Sequence, residues 1–157
     1  MSVAIFTAEQ PMRQHGGEGG FSLIELMVVL TIIGILAGIV YPNYVEYVRR
    51  GKISEAINTL SEMRIRMERQ FQDFRTYAGA CQPGTQAPLP EPTPGGFTFA
   101  CPTLTGSTFV ITASGSGDLA GLVYSIDERN IRATDSVPAG WTAPTGNCWA
   151  KNKAGGC

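Results

Sequence analysis

Glu25 is the one carboxylate in an otherwise apolar stretch, Phe21 to Tyr41, FSLIELMVVLTIIGILAGIVY. Ionised in hydrocarbon, such a group costs several kcal/mol unless it is paired or lies near an interface, so it asks for a cationic partner. Four cysteines, Cys81, Cys101, Cys148 and Cys157, fall in the second half of the chain. Outside the cytoplasm four thiols read as two disulfides rather than as metal ligands, with three pairings open. Cationic side chains gather towards the C-terminal end, where Lys151 and Lys153 follow Trp149, with Arg129 and Arg132 upstream. That set offers phosphate contacts and one stacking surface, the chemistry of nucleic-acid binding. The patch is weak, because Glu91, Asp118, Asp127, Glu128 and Asp135 outnumber the four cations beyond Tyr77.

Catalytic chemistry finds little support. The single histidine, His15, precedes the apolar stretch, which leaves the rest of the chain without an imidazole for a zinc site or a Ser-His pair. There is no nucleophile elbow or phosphate loop, and Asp127 and Glu128 read as solvated turn residues. The sequence therefore points to a non-enzyme without a cofactor or metal. Of the 12 Lys and Arg only Arg13 precedes Phe21, and of the 13 Asp and Glu only Glu9 and Glu18 do. The remainder, eleven of each, is formally neutral, so no global charge draws the chain to nucleic acid.

The element that positions Glu25 is a helix. At about 1.5 Å per residue, about 21 residues span a hydrocarbon core of about 30 Å. Gly34 and Gly38 form a small-xxx-small pair that lets another helix approach closely, and Pro42 removes one backbone hydrogen bond and permits bending. Residues 1–20 contain no long apolar run, unlike a secretory signal. The junction Gly20-Phe21-Ser22-Leu23-Ile24-Glu25-Leu26 resembles the processing site of type IV prepilins. The resemblance implies that 1–20 is a leader cut between Gly20 and Phe21 by a prepilin peptidase, with N-methylation of Phe21. It implies that Glu25 neutralises the terminal amine of a neighbouring subunit, and that Gly34 to Pro42 loses helical order in the filament. Pilin leaders are usually short and basic, which this one is not; a start at Met12 would shorten it. Basic residues after the apolar run, Arg49, Arg50 and Lys52, would by themselves put that end inside. The cysteines and the prepilin resemblance place it in the periplasm instead.

From residue 42 to 76 the chain reads as an amphipathic helix continuing the first, with a stripe of Ile53, Ile57, Leu60, Met63, Met67, Phe71 and Phe74. Glu62 and Arg66 on the charged face are spaced for an i,i+4 pair. Residues 77–157 form the head. Pro83, Pro88, Pro90, Pro92 and Pro94 exclude helix and interior strand and predict a surface loop. Three alternating segments follow, around Phe97-Phe99-Cys101, Phe109-Ile111-Ala113 and Leu122-Tyr124-Ile126, with a short fourth strand at Ile131 to Thr134 after a turn that Asn130 closes in the left-handed conformation. The expected fold is α+β, a pilin fold in which the long N-terminal helix packs on a roughly four-stranded antiparallel sheet.

Among the three pairings, Cys81 with Cys101 would tether the proline-rich loop to the first strand, and Cys148 with Cys157 would close a small C-terminal loop. A C-terminal disulfide loop is a feature of type IV pilins. The chain end from Cys148, with Tyr124-Ser125-Ile126-Asp127, looks most like the PilE-type minor pilins of the type IVa system. The resemblance implies an inner-membrane protein with a periplasmic head, which an assembly platform then incorporates with other pilin subunits into an extracellular pilus serving adhesion or twitching motility. The competing expectation is a head that captures extracellular DNA through Lys151, Lys153, Trp149, Arg129 and Arg132.

Overall fold

A computed structural model describes residues 20–157; the leader expected at 1–20 lies, but for Gly20, outside the described residues. Helix α1 runs Leu23–Phe74, and the strands are β1 Phe97–Leu104, β2 Phe109–Gly115, β3 Val123–Asp127 and β4 Arg132–Ser136, with one 3-10 turn at Gly117–Leu119. The chain divides after Val40 into two units.

In the first unit α1 starts where the Ser22 carbonyl accepts from the Glu25 and Leu26 amides, at 3.0 and 3.2 Å. The segment is long and apolar enough to cross a membrane, and its large side chains stand exposed. Thr31 hides its hydroxyl by donating to the Met27 carbonyl one turn back, at 2.7 Å, which removes a polar group from the helix surface.

In the second unit Ile53, Ala56, Leu60, Met63, Met67 and Gln70 form the buried seam of α1. Their alternating steps of three and four keep one line of the helix facing the sheet. Two members of the expected stripe fall beside this seam: Ile57 and Phe71 are only partly buried, while Ala56 and Gln70 occupy it. Phe74 is exposed, contrary to expectation. The helix stops there, two residues early, because Arg75 takes the left-handed conformation at φ 57°, and Tyr77 folds back to stack on Phe71 with ring centroids 4.7 Å apart.

The sheet is an antiparallel meander in the order β1-β2-β3-β4. Phe109, Ile111 and Ala113 of β2 and Tyr124 and Ile126 of β3 point into the core with Phe97 of β1, as strict alternation requires. Strand β1 continues past Pro102 through an irregularity between Ala100 and Thr103, which an edge strand tolerates. Strand β4 begins at Arg132 and ends at Ser136, one residue later at the start and two at the end than expected. Asn130 adopts φ 62° in the β3–β4 turn, whose amides at Arg129 and Ile131 donate to Asp127 Oδ1. The proline-rich segment is less superficial than expected: Ala87 is buried, its carbonyl accepts from the Cys81 amide at 2.9 Å, and Cys81 is bonded to Cys101.

Candidate functional site

Glu25 lies in the first turn of α1, where unpaired amides and the helix dipole favour a carboxylate. This is a local source of stabilisation besides any cationic partner. Gly34 and Gly38, one turn apart, are open: a Cβ on either would meet nothing within 4 Å. A helix backbone can therefore be approached closely along that line. Helix α1 is assigned without interruption through Pro42.

At the other end of the chain, Cys148 and Cys157 are bonded and close the terminal loop. The loop is seated on the sheet by four contacts. Trp149 Nε1 donates to the Ser125 carbonyl at 2.9 Å, the Ala150 amide donates to Thr134 Oγ1, Thr134 Oγ1 donates to the Cys148 carbonyl, and the Tyr124 hydroxyl donates to the Ala150 carbonyl. Burial raises the Tyr124 pKa far above the usual phenol range and keeps the hydroxyl a donor.

The cationic residues do not converge as one patch. Arg132 lies over the Trp149 ring, 5.1 Å from its centroid, and with Lys151, Ile57, Asn147 and the disulfide it lines a cleft of about 290 Å³. Lys153 is exposed on the loop, where its carbonyl accepts from the Thr142 amide. Arg129 is held at 3.0 Å by Asp127 and at 3.6 Å by Glu128, so its charge is locally matched. Trp149 corrects the expected stacking surface. At 4% exposure its indole belongs to the core, because the ring roofs the apolar layer and its N–H is spent on β3. What the loop leaves to solvent is Arg132, Lys151 and Lys153.

An exposed apolar helix with a carboxylate in its first turn, continuous with a helix-on-meander head closed by a terminal disulfide loop, has the makeup of a membrane-anchored protein. Comparison with known proteins gives the family. The model described as "Type IV minor pilin ComP, DNA uptake sequence receptor" matches residues 42–121, and the prokaryotic N-terminal methylation motif matches residues 16–41. The type IV major fimbrial protein FimA of Dichelobacter nodosus is 36% identical over 138 residues, covering 87% of this chain and 83% of its own. A fimbrial protein of Moraxella nonliquefaciens is 42% identical over 59 residues, covering 38% of each chain. The crystal structure of the Neisseria meningitidis non-core minor pilin PilV shares the fold, with TM-score 0.50 and 16% identity over 64% of this chain and 98% of that one. This chain belongs to the type IV pilin family. It is a subunit that associates with other pilins, is processed at its N-terminal methylation motif, and passes from a membrane-anchored precursor to an extracellular pilus.

Proposed function

We propose that this pilin is a minor subunit, released from its leader by a prepilin peptidase between Gly20 and Phe21, methylated on Phe21, and drawn by the inner-membrane assembly platform into the filament through residues 21–41. The observation that carries this is the exposed apolar surface of α1, interrupted by Glu25. Such a surface is stable only in lipid or among other apolar helices. A methylated amine on Phe21 of a neighbouring copy gives Glu25 the cation that a low-dielectric core demands, while Gly34, Gly38 and Pro42 allow close packing and local stretching. The remaining segments follow from this: 42–76 as the amphipathic continuation and 77–157 as the exposed head. No step of this cycle calls for catalysis by the chain itself. Mass spectrometry of sheared filaments tests it: N-methylated Phe21 is expected at the N-terminus in wild-type filaments, at low copy relative to a major pilin, and the subunit is expected to be depleted by Glu25→Ala. An intact leader, or equal amounts in both strains, would sink the reading.

A second reading, capture of extracellular DNA, is favoured by the description of the family model matching 42–121 and by the pairing of Arg132 and Lys151 at one cleft. These cations lie beyond the matched residues. Two phosphate contacts would make binding weak and salt-sensitive. Substituting Arg132, Lys151 and Lys153 with Ala should abolish a shift of labelled duplex DNA at low salt; unchanged binding would exclude this loop.

A further inference from the structure

Tyr41, Tyr44 and Tyr47 follow directly on the apolar run and are exposed by 72%, 63% and 76%. Three large aromatic side chains left this open on one short stretch of helix call for an environment that accepts both ring and hydroxyl. Steps of three residues wind them through about 120° of the helix surface, centred roughly 150° from the line of Ile53, Ala56 and Leu60 that packs on the sheet. They therefore project away from the head, whereas Val45, Glu46, Val48 and Arg49 between and beside them are partly covered. None of the three hydroxyls bonds to another group among the described residues.

We infer that these tyrosines form an aromatic belt that seats the unassembled pilin at the periplasmic headgroup layer of the membrane, resting on the reading of residues 21–41 as the membrane span. Continuity selects this occupant. The hydrocarbon-facing surface ends at Tyr41, and Tyr44 and Tyr47 rise about 4.5 and 9 Å further along the axis. The polar interface beyond the hydrocarbon is about 5–8 Å thick on each side. Two rings thus fall within it and the third reaches back to it. Phenol rings suit this layer because the ring replaces water at acyl chains while the hydroxyl bonds to ester and phosphate oxygens. The first basic side chain open to solvent, Arg50, comes just above, with Lys52 beyond it. The belt fixes how deep the helix sits before the subunit is extracted.

The test uses full-length mature protein labelled with 3-fluorotyrosine in vesicles of phosphatidylcholine and phosphatidylglycerol at 3:1. The buried Tyr77 and Tyr124 of the head serve as internal references. Lipid carrying a nitroxide near the headgroup should broaden the fluorine lines of Tyr41 and Tyr44 at least about threefold more than those of the references, and an aqueous gadolinium chelate should reach them poorly. Tyr→Phe substitutions assign the lines. If the protein floats with the vesicles and resists salt extraction while these lines respond to gadolinium and not to lipid, the belt is refuted and the span stands. If it does not float, the span itself has failed and the belt with it. Lines accessible to gadolinium in vesicles but protected in filaments would overturn the belt in favour of an interface between copies.

Discussion

Lys52 on α1 and Asp118 in the 3-10 turn meet at 2.8 Å across a separation of 66 residues. Arg49 approaches the same carboxylate at 3.8 Å, so one turn of helix holds the β2–β3 connection from two sides. The hydrogen bond from Lys52 is the main cause of a lowered Asp118 pKa, against an opposing contribution from burial. A depressed carboxylate stabilises the fold above its unfolded value, and that stability is lost as pH falls through the folded value. Asp118 is 39% exposed, which keeps the pair at or below about 1 kcal/mol. Asp118→Asn should lower the melting temperature by about 2–5 °C at pH 7, and the gap should close as pH falls through the depressed folded value, in a thermal melt followed by circular dichroism. A gap that persists at low pH would locate the effect in packing instead.

Tyr77 and Tyr124 predict the opposite limb. Burial is the first cause of the upward shift in each, and for Tyr77 Glu68 and Glu128 add to it, with Arg64 opposing. An acid whose folded pKa is raised leaves stability intact below its unfolded value, near 10, and loses it as pH climbs beyond. Chemical denaturation should show stability falling from about pH 10 upward, and Tyr124→Phe should flatten that slope. The same change orphans the Ala150 carbonyl, at about 1–3 kcal/mol, so it should lower stability at neutral pH.

What the sequence made legible and what it hid divide along one line. Period-two alternation identified Phe109, Ile111, Ala113, Tyr124 and Ile126 because a meander leaves no choice of face. Glu25, Gly34 and Gly38 are visible as exceptions in an apolar run, while their part in assembly rests on the proposal above. The fate of Trp149 was hidden. Its neighbours Lys151 and Lys153 suggested an exposed ring, and only the fold-back of the loop onto Ser125 and Arg132 shows that the ring belongs to the core. The seam of α1 was hidden at Ala56 and Gln70 for a different reason: a small side chain carries a weak hydrophobic signal and a side-chain amide carries none. Arg75 gave no signal either, since a non-glycine residue at φ 57° is not betrayed by its type.

Asn130 gives a backbone prediction. It holds φ 62° while Asp127 collects the amides around it, so Asn130→Gly should be neutral or slightly stabilising. Asn130→Val, β-branched in a left-handed well, should cost about 1–2 kcal/mol by urea denaturation. Equal costs for Gly and Val would mean that the Asn side chain, not its backbone, supports the turn.

The two disulfides should behave differently when removed. Cys81–Cys101 closes a separation of 20 residues and Cys148–Cys157 one of 9, so chain entropy alone gives about 3.3 and 2.7 kcal/mol, a small difference. The surroundings enlarge it. Cys81 lies in the core beside Ala80 and Ala87, where the disulfide and the short Cys81–Ala87 backbone contact together fasten that turn of the proline-rich segment. The terminal loop has contacts that do not involve Cys157, Trp149 on Ser125 and Ala150 on Thr134. Paired Ser substitution at 81 and 101 should therefore lower global stability by the full amount and expose the proline-rich segment to protease. Paired substitution at 148 and 157 should leave the Trp149 indole N–H slow to exchange with deuterium while residues 151–157 exchange freely. Rapid exchange of that indole in the second variant would show that the disulfide, not the indole contact, holds the loop on the sheet.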